Sequence, residues 1–156
     1  MLGAGTLLTA RAIGMILIAS ISVMMLRRTG YRIPIFIGFA AISAGLVMIA
    51  IVPAGVSPYA WLAVGACVTG LGMGLSLPAS NNASLHLRPD AVSAVTGLRG
   101  MFRQAGGIAA VSVATAIAAQ GSSPGTALAY IFVVFAAILL LSTPLILRVP
   151  EHRGTW

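Results

Sequence analysis

The chain has 156 residues, of which 59% are hydrophobic and only 7% are charged. A soluble domain of this size cannot bury so many apolar side chains, so the composition excludes an ordinary soluble fold and indicates that lipid surrounds much of the chain. The net charge is +7, but the basic residues are all arginines that mostly lie in short gaps between apolar runs. That placement excludes the basic face of a soluble nucleic-acid-binding domain, and we expect no nucleic acid partner.

Five apolar stretches follow one another along the chain, at residues 5–26, 33–52, 59–82, 92–119 and 127–147. Each is near the ~20 residues that a helix needs to cross the hydrocarbon core of a bilayer. The gaps, at residues 27–32, 53–58, 83–91 and 120–126, contain the Gly, Pro, Asn, Asp and Ser residues that stop helices. The sequence therefore predicts an all-α fold, a polytopic membrane helix bundle with about five transmembrane helices in a single membrane domain, residues 1–156.

The arginines lie on one predicted side of the membrane. They lie in the first gap, in or just past the third gap, and after the fifth stretch, whereas the second and fourth gaps contain no charged residue. Because basic residues are retained in the cytoplasm, we expect these three regions to be cytoplasmic and the first helix to start outside. The arginines concerned are Arg27, Arg28, Arg32, Arg88, Arg99, Arg148 and Arg153.

Arg11 differs from these because it lies within the first apolar stretch, about two turns from its start. An arginine in a membrane span either extends its side chain to the headgroups or faces a water-filled cavity. The sequence leaves both interpretations open. The second makes Arg11 a candidate for the substrate path, where it would orient an anionic group or pair with a carboxylate.

The third stretch divides into two faces at about 100° per residue. One face is branched, and we expect it to contact lipid; it comprises Val64, Val68, Leu71 and Leu75. The other is a stripe of small side chains, formed by Gly65, Thr69, Gly72, Ser76 and Ala83. Small residues let helix backbones approach closely in lipid, so the stripe predicts helix packing. A gating surface is the alternative, with Ser76 on the substrate path.

Gly70, Gly72 and Gly74 alternate with other residues in the same stretch. No strand precedes them, so they do not have the context of a dinucleotide-binding loop. Pro78 follows and lacks a backbone N–H, so we expect a kink near Gly74.

The fourth stretch also has a small, polar face opposite an apolar one. The small face holds Ser93, Thr96, Gly97, Gly100, Gln104, Gly107 and Thr115, and the apolar face holds Leu98, Phe102, Ala109 and Val113. Arg99 and Arg103 flank the small face near its predicted cytoplasmic end. Two interpretations stay open: the arginines extend to the headgroups, or Arg103 and Gln104 brace a cytoplasmic gate and line its mouth.

Three motifs resemble one branch of a known transporter superfamily: Gly-Leu-Gly-Met-Gly-Leu-Ser-Leu-Pro at 70–78, Arg-Pro-Asp at 88–90, and the run at 96–107 that contains Arg-Gln-Ala-Gly-Gly. They are similar to the late helices of the fourteen-helix drug:proton antiporters of the major facilitator superfamily. The resemblance implies the last five helices of a proton-coupled multidrug efflux transporter. It also implies a bacterial cytoplasmic membrane, a cytoplasmic C-terminus and a small amphipathic or cationic substrate. Its helix-packing residues would be Gly65, Gly70, Gly72, Gly74, Pro78, Gly97, Gly100, Gly106 and Gly107.

The chain lacks the family's N-terminal signatures: the acidic residue of the first helix, the glycine-rich loop with Asp-Arg, and the Gly-Pro antiporter motif. We therefore expect it to be a piece of a longer transporter whose N-terminal helices are its partners. A small membrane scaffold or assembly subunit without transport activity is the alternative. The carboxylates, Asp90 and Glu151, lie outside the apolar stretches, and His86 and His152 lack ligand-spaced companions. We expect no enzyme activity, metal or cofactor.

Overall fold

A computed structural model of the chain describes residues 30–87, 89–120 and 123–147, together with residues 5, 9, 12, 13, 15, 16 and 18. Four long α-helices account for most of these residues: α1 (Arg32–Ala50), α2 (Pro58–Leu87), α3 (Val92–Gln120) and α4 (Pro124–Ile146). The 3₁₀ turn Pro89–Ala91 joins α2 to α3. The seven described residues of the first apolar stretch are also helical, and no strand occurs in the described part of the chain. The all-α prediction is confirmed.

Each of the four helices is long and apolar enough to cross a membrane. Three of them begin and end within a few residues of the predicted stretches. The largest difference is at the end of α2, which continues to Leu87 instead of ending near residue 82. The helix also continues across Pro78.

Tertiary packing explains why α2 passes through Asn81 and Asn82, residues that usually favour a helix end. Ala79 and Ala83, one turn apart, are buried in a cluster with Tyr31 and Ile35 of the α1 start and Ile146 of the α4 end. The apolar face of the helix therefore continues beyond the asparagines. Burial against two other helices outweighs the weak local preference.

The four helices do not pack equally. Helix α1 lies against both α2 and α4, whereas α3 contacts α4 at fewer positions and α2 mainly near their connection. Short connections make successive helices antiparallel, so the start of α1 and the ends of α2 and α4 share one end of the bundle. Helix α3 is the peripheral member.

A glycine turn and a buried tyrosine begin α1 at this end. Gly30 has a φ of 75°, a left-handed conformation that a side chain disfavours. The turn places Tyr31, which is 1% exposed, under the cluster of Ile35, Ala79 and Ile146. Burial raises the pKa of the Tyr31 phenol.

At the opposite end of the bundle, Trp61 of α2 forms hydrogen bonds with the end of α1. Its indole Nε1 donates hydrogen bonds to the carbonyl oxygens of Met48, at 2.7 Å, and Ile51, at 2.9 Å. The last carbonyls of a helix have no partner within the helix, so these bonds satisfy groups that would otherwise face the bilayer interface. Tryptophan is enriched at that level of a membrane protein.

Candidate functional site

The α1–α2 contact is a seam formed by the stripe of small residues on α2 and two glycines of α1. A Cβ placed on Gly72 would lie 2.6 Å from the Gly38 carbonyl oxygen, and one on Gly38 would lie 2.7 Å from the Gly72 carbonyl oxygen. Two turns away, a Cβ on Gly45 would lie 2.8 Å from the Gly65 carbonyl oxygen. The two backbones are therefore in direct contact, at a separation that leaves no room for a side chain.

Hydroxyl groups within the seam are buried and hydrogen-bonded. Thr69 Oγ1 donates to the Ala66 carbonyl at 2.7 Å, and Ser76 Oγ donates to the Gly72 carbonyl at 2.9 Å. Ser76 is only 4% exposed. The sequence suggested that Ser76 lies on a substrate path, but its hydroxyl faces the backbone of its own helix inside the seam. This placement supports a packing role for the residue.

The other side of α1 contacts α4, and a hydroxyl group of α1 bonds the two helices. Ser43, 3% exposed, donates from its Oγ to the Ala136 carbonyl of α4 at 3.4 Å. Ala136 is itself 2% exposed. Helix α1 is thus held on both sides by small residues.

Gly74 lies on a different side of α2. A Cβ placed on it would collide with the Cγ2 atom of Ile18 and would lie 2.7 Å from the Met15 carbonyl oxygen, both in the first apolar stretch. Gly70, one turn earlier, is also buried. Helix α2 therefore uses glycines on two sides, one toward α1 and one toward the first stretch.

The glycines of α3 have a different environment. A Cβ placed on Gly97, Gly100, Gly106 or Gly107 would meet nothing within 4 Å among the described residues. None of the residues of α3 is buried. The packing role that the sequence suggests for these four glycines has no partner in the described part of the chain and stays a prediction.

Arg99 makes the principal side-chain contact between α2 and α3. Its Nη1 donates to the Ser80 carbonyl at 2.6 Å and to Ser84 Oγ at 3.0 Å, and its Nη2 donates to Ser80 Oγ at 2.8 Å. Ser84 Oγ in turn donates to the Asn81 carbonyl at 2.7 Å. Charged donors form the stronger hydrogen bonds, so this contact holds α3 to the end of α2.

Sequence reasoning singled out Arg103 and Gln104 and missed this role of Arg99. The available signal was the spacing of Ser80 and Ser84, which are four residues apart and share a face if α2 continues. The prediction placed residues 83–91 in a gap, so Ser84 was not on a helix. The unexpected length of α2 adds Ser84 to the acceptor site that Ser80 begins.

Arg103 and Gln104 lie one turn further along α3 and are both exposed. Arg103 lines a cavity of about 580 Å³ between α2 and α3, while Gln104 does not. Arg11, the third candidate for the substrate path, lies outside the described residues.

Among the described residues, no three His, Cys, Asp or Glu side chains come together as metal ligands would. The interactions that the described residues form are therefore helix-packing contacts and the hydrogen bonds of an arginine.

Comparison with known proteins gives one match. The family profile described as Major Facilitator Superfamily matches residues 2–156, nearly the whole chain. No curated protein and no solved structure matches. The match agrees with the helical membrane architecture and with the glycine-rich helices described above. The chain belongs to the major facilitator superfamily, and its general role is membrane transport.

Proposed function

We propose that the chain forms part of the C-terminal bundle of a secondary active transporter that exports small amphipathic or cationic compounds in exchange for protons. The observation that supports this proposal most strongly is the contrast between the closely packed α1, α2 and α4 and the open α3. Carriers of this kind alternate access by moving one helical bundle against another around a site near the middle of the membrane. A helix on that boundary needs a firm attachment on one side and a free face on the other.

Helix α3 has these two properties. Arg99 attaches its first turns to α2, whereas its later residues, including Gln104 and Thr115, are exposed. Its small face would let a second bundle approach closely, as the small face of α2 does with α1. We therefore assign Gln104, Gly106 and Gly107 of α3 to the boundary with the second bundle, Arg103 to the cytoplasmic end of α3 beside α2, and Arg11 to the substrate path.

Proton coupling requires an ionisable acid within the membrane, because burial brings its pKa into a useful range. In this chain the carboxylates are Asp90, which is exposed in the 3₁₀ turn, and Glu151, near the C-terminus. Asp90 is outside the four long helices, and Glu151 lies outside the apolar stretches of the sequence. In the proposed transporter, the second bundle supplies the acid that carries the proton.

Dye transport tests the proposal. Everted vesicles from bacteria that express the gene product containing this chain would receive a pH gradient and a fluorescent cationic dye. We expect gradient-dependent dye movement that is lost with Gly72→Leu and retained with Val64→Leu, a matched change on an exposed position of the same helix. We expect this chain expressed alone to reach the membrane and move no dye. Dye movement by the chain alone would contradict the assignment to one bundle of a larger carrier.

The orientation has its own test. Single cysteines would replace Asp90 and Ser57 in a Cys67→Ser background, and intact cells would be treated with a membrane-impermeant thiol reagent. The one-sided arginine distribution predicts labelling at position 57 from outside and none at position 90. The reverse pattern would contradict a cytoplasmic α2–α3 connection and a cytoplasmic C-terminus in the bacterial inner membrane.

A further inference from the structure

The cavity between α2 and α3 is built differently from the other large cavities of the chain. It has a volume of about 580 Å³ and is lined by residues of both helices, namely Leu77, Asn81, Thr96, Arg99, Gly100, Phe102 and Arg103. Four of these seven residues have polar or charged side chains, and two of the four are arginines. A cavity of similar volume between α1 and α4, about 540 Å³, has one arginine and otherwise almost entirely apolar walls.

The two arginines of the α2–α3 cavity lack a neutralising carboxylate in the described part of the chain. They are four residues apart on α3, and like charges at that spacing on a helix repel each other. Asp90 is the carboxylate that the structure describes, and it does not line the cavity. An anion in the cavity would remove this repulsion.

Hydrogen-bond donors remain available for such an anion. Arg99 uses three of its N–H groups on Ser80 and Ser84, which leaves two of the five donors of a guanidinium. Arg103 makes no hydrogen bond or ion pair with a described residue and is exposed. Asn81 and Thr96 add an amide and a hydroxyl on the facing walls. The fixed fork geometry of arginine suits the oxygens of a phosphate group.

The distance along α3 from the cavity to the other end of the helix is close to the thickness of the hydrocarbon core. Arg99 and Arg103 precede Gln120, the last residue of α3, by about 32 Å and about 26 Å along a helix that rises 1.5 Å per residue. The hydrocarbon core is about 30 Å thick, so if Gln120 marks one boundary the two arginines lie near the other. Leu77 and Phe102 give the same cavity an apolar part. That apolar surface would not stabilise a free anion, whereas the acyl chain of a lipid can pack against it.

We propose that the α2–α3 cavity binds the phosphodiester headgroup of an anionic phospholipid, with Arg103 and the free donors of Arg99 on the phosphate and Leu77 and Phe102 against an acyl chain. Basic cavities between transmembrane helices on the cytoplasmic side are suited to anionic headgroups. The bound lipid would neutralise the arginine pair and hold α3 at a fixed separation from α2.

Native mass spectrometry tests this site because it resolves each lipid-bound state. The chain, purified in a neutral detergent, would be titrated with phosphatidylglycerol, phosphatidylcholine or inorganic phosphate. We expect the first phosphatidylglycerol to bind more tightly than phosphatidylcholine. Arg103→Gln should weaken it about fivefold, the contribution of one basic residue near an anionic surface. Arg103→Lys should retain most of the affinity, and Arg32→Gln, which removes the same charge from the other cavity, should change it little.

Three results would overturn the proposal. Equal affinity for phosphatidylglycerol and phosphatidylcholine would remove the anion preference. Equal weakening by Arg103→Gln and Arg32→Gln would attribute the preference to net charge alone. Displacement of phosphatidylglycerol by an equal concentration of inorganic phosphate would assign the cavity to a free phosphate. Circular dichroism of each variant verifies that it is folded, and the measurement requires no transport activity, so its outcome is independent of the proposed function.

Discussion

Helices α2 and α3 are of nearly equal length and both are rich in glycine, yet they have opposite environments. Every glycine of α2 is buried. A Cβ atom added at Gly65, Gly72 or Gly74 would collide with a neighbouring residue. The glycines of α3 are exposed, and none would meet an atom within 4 Å among the described residues. The same sequence feature thus indicates a contact surface in both helices, but only α2 has its partner within the described part of the chain.

The sequence of a helix can show which face is able to form a contact without showing which helix forms it. A stripe of small residues indicates which face of a membrane helix is able to approach another backbone. It does not identify the partner, which depends on helices elsewhere in the chain or in another chain. In α2 the partner is α1, through Gly38 and Gly45. In α3 we propose that it is the second bundle of the transporter.

Gly72→Leu should have the largest effect on stability. The added side chain must displace the backbone of α1 at the Gly38 carbonyl, and backbone cannot move as a flexible side chain does. We expect the free energy of unfolding to fall by about 3 kcal/mol or more. The measurements are the folded yield and the resistance to unfolding by SDS, and both should fall strongly. Val64→Leu, at a position that is 51% exposed, is the control and should leave both unchanged. A folded yield for Gly72→Leu equal to that of the control would disprove the seam.

Arg99→Met should have the second-largest effect, because it removes three hydrogen bonds from a charged donor and loosens α3 from α2. Because Arg99 is partly exposed, we expect the free energy of unfolding to fall by only about 2 kcal/mol. Unfolding in SDS measures it. Arg103→Met removes the same charge without a hydrogen bond to a described residue, and is expected to be close to the unsubstituted chain. If the two variants unfold alike, the contact with Ser80 and Ser84 does not stabilise the hairpin.

Trp61→Phe should destabilise the chain less, by about 1 kcal/mol, because it removes one neutral N–H donor that two carbonyl oxygens at the end of α1 share, and it keeps an aromatic ring. Thermal unfolding followed by circular dichroism measures this change. Tyr130→Phe, at an exposed position of α4, is the comparison. A loss with Trp61→Phe no larger than that with Tyr130→Phe would show that the indole contacts contribute nothing.

Gly107→Leu should have the smallest effect in this chain, near zero, because the added side chain enters open space. In the gene product that contains the chain, the same substitution should impair assembly or transport, because the proposed second bundle covers that face. Folded yield in detergent and dye transport distinguish the two settings. A strong effect in the chain alone would show that α3 packs more closely than the structure describes.

Part of this architecture is predictable from sequence because it depends on hydropathy and helical periodicity. Runs of about 20 apolar residues locate the helices. The stripe of Gly65, Thr69, Gly72, Ser76 and Ala83 was deduced from its spacing, and all five residues are buried. The glycines of α1 were not singled out, because that helix has alanine, serine and glycine on several faces and no spacing distinguishes Gly38 and Gly45.

Contacts between distant parts of the chain were the part that sequence reasoning could not supply. The cluster of Ala79, Ala83 and Tyr31 extends α2, and that extension adds Ser84 to the acceptors of Arg99. The predicted gap at residues 83–91 gave the opposite expectation.

Lipid accessibility along α3 tests the central claim most directly. Nitroxide labels at Gln104 and Thr115 on the small face, and at Leu98 and Val113 on the apolar face, would be measured for oxygen accessibility in bilayers. In the chain alone, all four positions should be accessible, because each of these residues is exposed among the described residues. In the gene product that contains the chain, accessibility should fall at Gln104 and Thr115 and persist at Leu98 and Val113. An unchanged profile in both settings would contradict the assignment of α3 to the boundary between two bundles.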